Sequence, residues 1–427
     1  LSETLCESIT DYGFVYCMGT ATSGCEPTRN SPKLKADNLS QLYRGQAFQH
    51  TATNLPLGCT YGYKAYAVIG EMMYLSDETG YFRLADCTNR PEAGSPITIT
   101  VNAALGEDFV DDCKLTYGSL KTAIDKLKAS TENDDPYRYV VKSGSSYNLQ
   151  QPVVINVHYY DDTPDDNTSA YIYRGTTNVG KYAGNNKPAN SNLLDNFNYE
   201  GADPANTLTI KAGTTVAKPW VHHIVIRKSK NIVLDSLCIY SDPNSVGDNA
   251  LEMDKDIASG NANWNTLNSN GYVDDANILV QNCMIGSDGF TGMHISSYDG
   301  VIFKNNDFES VFDDASSNAI AWGASAKFMW CKNIKFIQNN FRGDHATLMW
   351  IQDTQSMLVM NNVFWNTNKF TASSGQRNPS AMRLVTQFGN QVANVAFYYN
   401  TYFFADNGKT SASTYDFMSF AEDHNID

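Results

Sequence analysis

Positive charge is in short supply in this sequence. Its 427 residues carry 31 Lys+Arg against 46 Asp+Glu, a formal net charge of −15 with histidine neutral. A chain this acidic lacks the electrostatics to grip a phosphate backbone, so no nucleic-acid partner is expected. Charge of either sign is sparse at 18%, whereas hydrophobic residues reach 42% and aromatics 12%. That balance excludes a disordered polyelectrolyte and leaves enough apolar material for a large core. No run of 18 or more apolar residues occurs, so no transmembrane segment is expected.

Paired cysteine motifs are also missing. The nine cysteines form no C-x-x-C pair and no zinc spacing. Five of them (Cys6, Cys17, Cys25, Cys59 and Cys87) precede residue 90, where one or two disulfides are expected if the protein is exported. Cys238 and Cys283 sit inside apolar strand-like runs and read as small core residues. The opening LSETLC has neither a charged n-region nor an apolar h-region, so no signal peptide is legible. The chain reads as starting inside a domain, any targeting segment already removed.

The first part of the chain alternates polar and apolar residues in short stretches. Ile9–Gly19, Gly45–Leu55 and Tyr61–Gly70 are separated by Gly, Pro, Ser and Asn clusters, the pattern of antiparallel strands in a small β-sandwich. Ile9–Gly19 followed by Cys25-Glu26-Pro27, and Leu55 through Tyr61–Val68, resemble a fibronectin type III-like module over about 85 residues. Such modules occur on secreted and surface proteins of Bacteroidetes-type bacteria. The resemblance implies a glycan-docking unit or a spacer, because the fold itself carries no function. This first domain is expected over residues 1–95, with the junction at Pro91–Pro96. Tyr117–Lys128 then reads as one amphipathic helix, with Leu120, Ala123, Ile124 and Leu127 at helical spacing. It is expected to cap the open end of the β region that follows.

From residue 220 the chain repeats itself. Asn231–Ser241, Asn277–Ser287, Gly300–Ser310, Asn333–Gly343, Ser356–Asn366 and Asn394–Phe404 share one pattern: alternation, a break, then alternation again. Successive starts lie 46, 23, 33, 23 and 38 residues apart, the longer intervals holding Gly/Ser/Asn/Asp-rich insertions. A constant unit with variable loops is what a solenoid requires. The break holds Leu237, Cys283, Asn306, Asn339, Asn362 and Asn400 in turn. Asparagine tolerates left-handed backbone, and its amide can hydrogen-bond its copy on the next coil. A further strand precedes most units: Ile224–Arg227, Leu251–Asp254, Met293–Ser296, Leu348–Ile351 and Met382–Val385. The 3.6-residue periodicity of helical solenoids is missing here. Three short strands per coil predict an all-β, right-handed parallel β-helix over residues 96–427, resembling the pectate lyase-like superfamily. That superfamily includes polysaccharide lyases, glycoside hydrolases, carbohydrate esterases and members without catalysis.

The strand before each unit borders the long insertions, which places a polymer-binding groove there. If Leu251/Met253, Met293/Ile295, Met349/Ile351 and Met382/Leu384 point inward, alternation turns their neighbours outward. Those neighbours are Glu252, Asp254, His294, Ser296, Trp350, Gln352 and Arg383. Aromatic rings stack on pyranose faces, while carboxylates and arginine bind hydroxyls or uronates. A hydrolase needs two carboxyls, which Glu252 and Asp254, or Asp313 and Asp314, could supply. A lyase needs a base, from Arg383 or Lys255, and a cation, with Glu252, Asp254, Asp313 and Asp314 as Ca²⁺ ligands. Catalysis is thus assigned to Arg383, Glu252, Asp254 and His294, with Asp313 and Asp314 as the metal pair. Substrate binding falls to Trp350, Gln352, Arg377 and Ser296, Arg377 and His345 lying in loops beside the groove. Polygalacturonase signatures (Asn-Thr-Asp, Gly-His-Gly, Arg-Ile-Lys) are missing, as are the Arg-rich signatures of well-known pectate lyases. Gln352-Asp353 with Arg383 only partly echoes a pectin esterase site. His222-His223 has no third metal ligand in sequence. The expectation is a secreted or cell-surface monomer that degrades a polysaccharide, with glycan binding alone and a purely structural β-helix as the alternatives.

Overall fold

The structure is a computed structural model. It describes residues 8–19, 24–36, 48–50, 52, 55, 60–83, 96–105, 109–112, 114–130, 139–158, 192–213, 218–240, 249–254, 271–287, 291–310, 324–343, 347–366, 380–386, 392–404 and 416–422. The chain divides into two compact units, one of residues 1–90 with 111–114, the other of 91–110 with 115–427.

In the first unit, aromatic-rich alternation produces one antiparallel sheet of five strands. Lys33–Lys35 pairs Ile9–Met18, which pairs Thr60–Ile69; the far edge of Thr60–Ile69 is shared by Met72–Leu75 and Gly80–Arg83. Tyr61 and Val15 are fully buried in this unit. A disulfide joins Cys17 to Cys25 with their Cα atoms 6.0 Å apart. Gly62 lies opposite Cys17 in the ladder, and a Cβ there would meet the Cys25 carbonyl oxygen at 1.9 Å. Only glycine lets the bridged segment close over the sheet at that point. A sandwich needs a second, facing sheet; the described residues of this unit form a single one.

The second unit is built from three parallel sheets that the chain visits in turn. Sheet I has 11 strands and includes Ile232–Asp235, Ile278–Gln281, Asp299–Lys304, Lys332–Ile337, Gln355–Met360 and Ala393–Tyr398. Sheet II has seven, running from Trp220–His222 through Cys238–Tyr240, Met284–Ser287, Asp307–Ser310, Asn340–Gly343 and Val363–Asn366 to Thr401–Phe404. Sheet III has eight, from Asn192–Asp195 to Asp416–Glu422. Each strand pairs in parallel with its counterpart one coil away, the arrangement of a parallel β-helix. Inward residues stack into continuous columns. Phe308, Phe341 and Phe364 on sheet II repeat at ring-centroid distances of 4.7 Å with interplanar angles of 6° and 7°. Phe303 and Phe336 do the same on sheet I, 4.7 Å apart. Each fully buried phenylalanine contributes about 1.5–3 kcal/mol from burial alone.

The corner between sheets I and II carries an amide ladder. The Nδ2 atoms of Asn306, Asn339 and Asn362 each donate across 3.0 Å to the Oδ1 of the next asparagine, the last being Asn400. The same oxygens accept the backbone N–H of Asn306, Asn339 and Asn362, and Asn306 Oδ1 accepts from Cys283. Each amide also donates to a carbonyl of the preceding coil, at Val280, Phe303, Phe336 and Val359. The left-handed backbone, however, belongs to the residue before: Ser236, Asn282, Asn305, Gln338, Asn361 and Tyr399 have φ between 53° and 59°. That residue turns the corner and delivers the next side chain into the interior. All six repeat-heading residues, from Asn231 to Asn394, are likewise at positive φ, where asparagine and glycine cost least.

The capping helix runs Leu120–Ala129 rather than from Tyr117, which ends the short strand Thr116–Tyr117. Ser119 starts it by accepting the Thr122 N–H at 3.1 Å. Its apolar stripe, Leu120, Ala123, Ile124 and Leu127, is buried in the same core as Ile97 and Leu194. Cys238, Cys283 and Cys331 are buried free thiols, as their apolar surroundings predict for the first two.

Candidate functional site

The outer face of sheet III carries the sequence-derived candidates. Leu251, Met253, Met293, Ile295, Met349, Ile351 and Met382 belong to the continuous core, so the intervening side chains face away from it. Register then sets the candidates in a row parallel to the solenoid axis. Val225 pairs Glu252, Glu252 pairs His294, His294 pairs Lys327, Lys327 pairs Trp350, and Trp350 pairs Arg383. A second row two residues along each strand includes Arg227, Asp254, Ser296, Met329, Gln352 and Val385. Adjacent members of a row are about 4.8 Å apart, the spacing of paired strands.

The two ends of the row differ in chemistry, with acid and imidazole at one and cations at the other. At the first end Glu252 and His294 sit on neighbouring coils, exposed by only 5% and 7%. His223, 1% exposed, places its Nε2 3.6 Å from Glu252 Oε2. Asp254 lies on the same strand and face as Glu252, two residues on and 1% exposed. A buried carboxylate beside imidazoles can exchange a proton with a bound group.

At the other end, Trp350 has Lys327 Nζ 5.0 Å and Arg383 Cζ 5.2 Å from its ring centroid, from the coils on either side. The indole quadrupole holds both cations in place. Trp350 also donates its Nε1–H to Gln352 Oε1 at 3.3 Å, and Gln352 Nε2 reaches Asp353 Oδ2 at 3.5 Å. The ring, 6% exposed, is therefore the partner of two cations rather than a bare stacking plane.

Glu252 and Arg383 stand four coils apart, about 19 Å along the axis. They do not meet over one sugar ring, so Arg383 as base with Glu252 and Asp254 as ligands of one cation is not assembled. Asp313, Asp314, Arg377, Lys255 and His345 lie outside the described residues. Among the described residues no group of three or more His, Cys, Asp or Glu could hold a metal ion. Likewise, no helix among them is long and apolar enough to cross a membrane.

Two members of the site escape sequence reasoning. Lys327 lies on Ala324–Met329, a strand whose alternation is masked by its small residues. Its signal is positional, because a sheet III strand precedes each repeat head and Asn333 needs one too. His223 reads in sequence only as an incomplete metal ligand; its partner Glu252 is a neighbour in space, one coil away.

No known protein family matches this sequence, and no curated protein does. A solved structure, ORF18 of Geobacillus virus E2, is similar at 11% identity over 84% of this chain and 54% of that one, with a TM-score of 0.29. The chain thus spans about half the length of that protein, and a likeness this slight carries no argument.

Proposed function

We propose that this is a secreted or cell-surface carbohydrate-active protein that cleaves a polysaccharide lying along the outer face of sheet III. In this reading the second unit is a right-handed, pectate lyase-like β-helix, and the first a fibronectin type III-like module that positions it. The observation that carries the proposal is the in-register row from Glu252 to Arg383. One polymer along the axis would meet the carboxylate–imidazole cluster and the cation pair in succession. Glu252 acts as general acid–base, oriented by His223, while Asp254 supplies the second carboxyl. Their Cα atoms are roughly 6.5–7 Å apart along the strand and their side chains share one face, which suits the carboxyl pair a glycoside hydrolase uses. Lys327 and Arg383, steadied by Trp350, bind an anionic or hydroxyl-rich unit several residues along the chain. Export is supported by the Cys17–Cys25 disulfide, since such bonds persist in oxidising surroundings.

A second reading, glycan binding without cleavage, is favoured by the small exposure of Glu252 and Asp254, 5% and 1%. One experiment separates them. Purified protein is incubated with a panel of neutral, uronic and sulfated polysaccharides, and products are followed by reducing-end and ultraviolet assays. Reducing ends without ultraviolet absorbance indicate hydrolysis, and Glu252→Gln should abolish them while the fold persists. Ultraviolet absorbance indicates a lyase, and retention without product indicates binding alone.

A further inference from the structure

Among the described residues, four exposed aromatic rings of the solenoid lie away from sheet III: Trp365, Phe403, Tyr398 and Tyr399. Trp365 and Phe403 are each 51% exposed, and they occupy the outer face of sheet II, on its last two coils. Their centroids are 5.9 Å apart. The same register column runs through Tyr240, Gly286, Glu309, Arg342, Trp365 and Phe403. Two neighbouring half-exposed rings are the kind of apolar surface that interaction sites use.

The opposite end of that column is shaped as well. The Tyr240 ring lies over Gly286, where an added Cβ would meet the ring at 2.3 Å, and its hydroxyl donates to Glu309 Oε2 at 3.2 Å. Glycine is what allows the ring to lie along the axis here. Between the rings sit hydroxyl-binding groups. Arg342, its side chain 61% exposed, is 4.0 Å from Glu309, and Asn340 donates to Asp307 Oδ1 at 2.8 Å.

We infer that the outer face of sheet II is a second glycan-binding surface, one that takes a neutral polysaccharide extended along the solenoid axis. Rings at intervals with amide, carboxyl and guanidinium groups between them suit pyranose faces and hydroxyls in alternation. The coil spacing of about 4.8 Å is close to the length of one hexose in an extended chain. From Tyr240 to Phe403 the column covers five steps, about 24 Å. Charge selects the occupant. Asp307 and Glu309 outnumber Arg342 on this face, and the chain carries −15 in all, so a polyanion and a second copy are both repelled. An apolar protein partner would be met by a continuous apolar patch, which the intervening charges interrupt.

The test is native affinity electrophoresis of the full chain through gels cast with soluble neutral polysaccharides (glucan, mannan, galactan, xylan). At least one should retard the wild type. Trp365→Ala and Phe403→Ala should each weaken that retardation about fivefold to tenfold, and the double variant should weaken it further than either. Both rings are half exposed, so circular dichroism and thermal melting of the variants should match the wild type. Lys335→Ala, on the outer face of sheet I and outside both surfaces, should be retarded like the wild type, which ties the loss to the rings of sheet II. Retardation by none of the neutral polymers, or undiminished retardation of the double variant, overturns the inference. Concentration-dependent dimerisation lost in Trp365→Ala, read by sedimentation, would assign the face to a second copy and overturn it equally.

Discussion

Asn339 donates its Nδ2–H to the Oδ1 of Asn362 across 3.0 Å, while its own Oδ1 accepts from both the backbone N–H and the side chain of Asn306. Its amide also reaches the Phe303 carbonyl at 3.1 Å. One side chain on the middle coil thus serves polar groups on the two coils that flank it, with no exposure to water. Leucine at this position fills the space and serves none of them. Asn339→Leu should lower stability by about 1–3 kcal/mol for each buried group left without a partner, read from the denaturant midpoint. Asn400→Leu, at the half-buried end of the ladder, should cost clearly less. Equal losses at the two positions would mean that the ladder is not cooperative along the axis.

The aromatic columns make a similar contrast between inside and outside. Phe341 is fully buried between the rings of Phe308 and Phe364, so Phe341→Ala should cost about 3–5 kcal/mol. Trp365 is the next residue after Phe364 and half exposed on the other face of the same sheet. Trp365→Ala should stay within about 0.5 kcal/mol of the wild type. Thermal melts of the two variants side by side check both statements.

Burial pushes the thiols of Cys238, Cys283 and Cys331 up from 9.0 to about 12. Their native state therefore holds protons that the unfolded chain releases above pH 9. The stability they contribute is fully present below pH 9 and is lost as pH rises toward 12. Between pH 6 and 8 these three groups leave stability unchanged; from pH 9 upward the melting temperature should fall. Replacing all three by alanine or valine should flatten that alkaline fall. In the native protein at neutral pH, iodoacetamide should leave the three thiols unmodified, and denaturant should make all three reactive, counted by mass spectrometry.

Distance along the row separates kinetic roles in the proposed enzyme. Glu252→Gln should reduce kcat about 10²–10⁴-fold, the contribution of a positioned proton-transfer group. Lys327 and Arg383 stand two and four coil steps from that carboxylate. Their alanine variants should raise KM and leave kcat nearly unchanged. Loss of kcat at constant KM in Arg383→Ala would move the reacting centre to the cationic end.

The repeat, its break position and the alternation around it are legible because burial imposes a period of two on each strand, and stacking imposes a recurring amide at one corner. The outward placement of Glu252, His294, Trp350 and Arg383 follows from the same alternation. The helix starts three residues later than its amphipathic pattern predicts, because Ser119 begins it by capping and Tyr117 belongs to a strand. The left-handed residue stands one position before the laddered asparagine, since side-chain type alone does not say which of two adjacent asparagines turns the chain.

By itself, the order of residues determined which side chains face the core and which face away, because that depends only on parity along a strand. How far apart the outward ones lie was decided by the tertiary structure alone. Insertions of unequal length hide the number of coils between two repeats, so Glu252 and Arg383 read in sequence as members of one centre, whereas the register sets four windings between them. The pairing of His223 with Glu252, the cations flanking Trp350 and the Tyr240 ring lying over Gly286 arise the same way. Each joins residues from different coils, and only the stacking of one winding on the next brings such residues together.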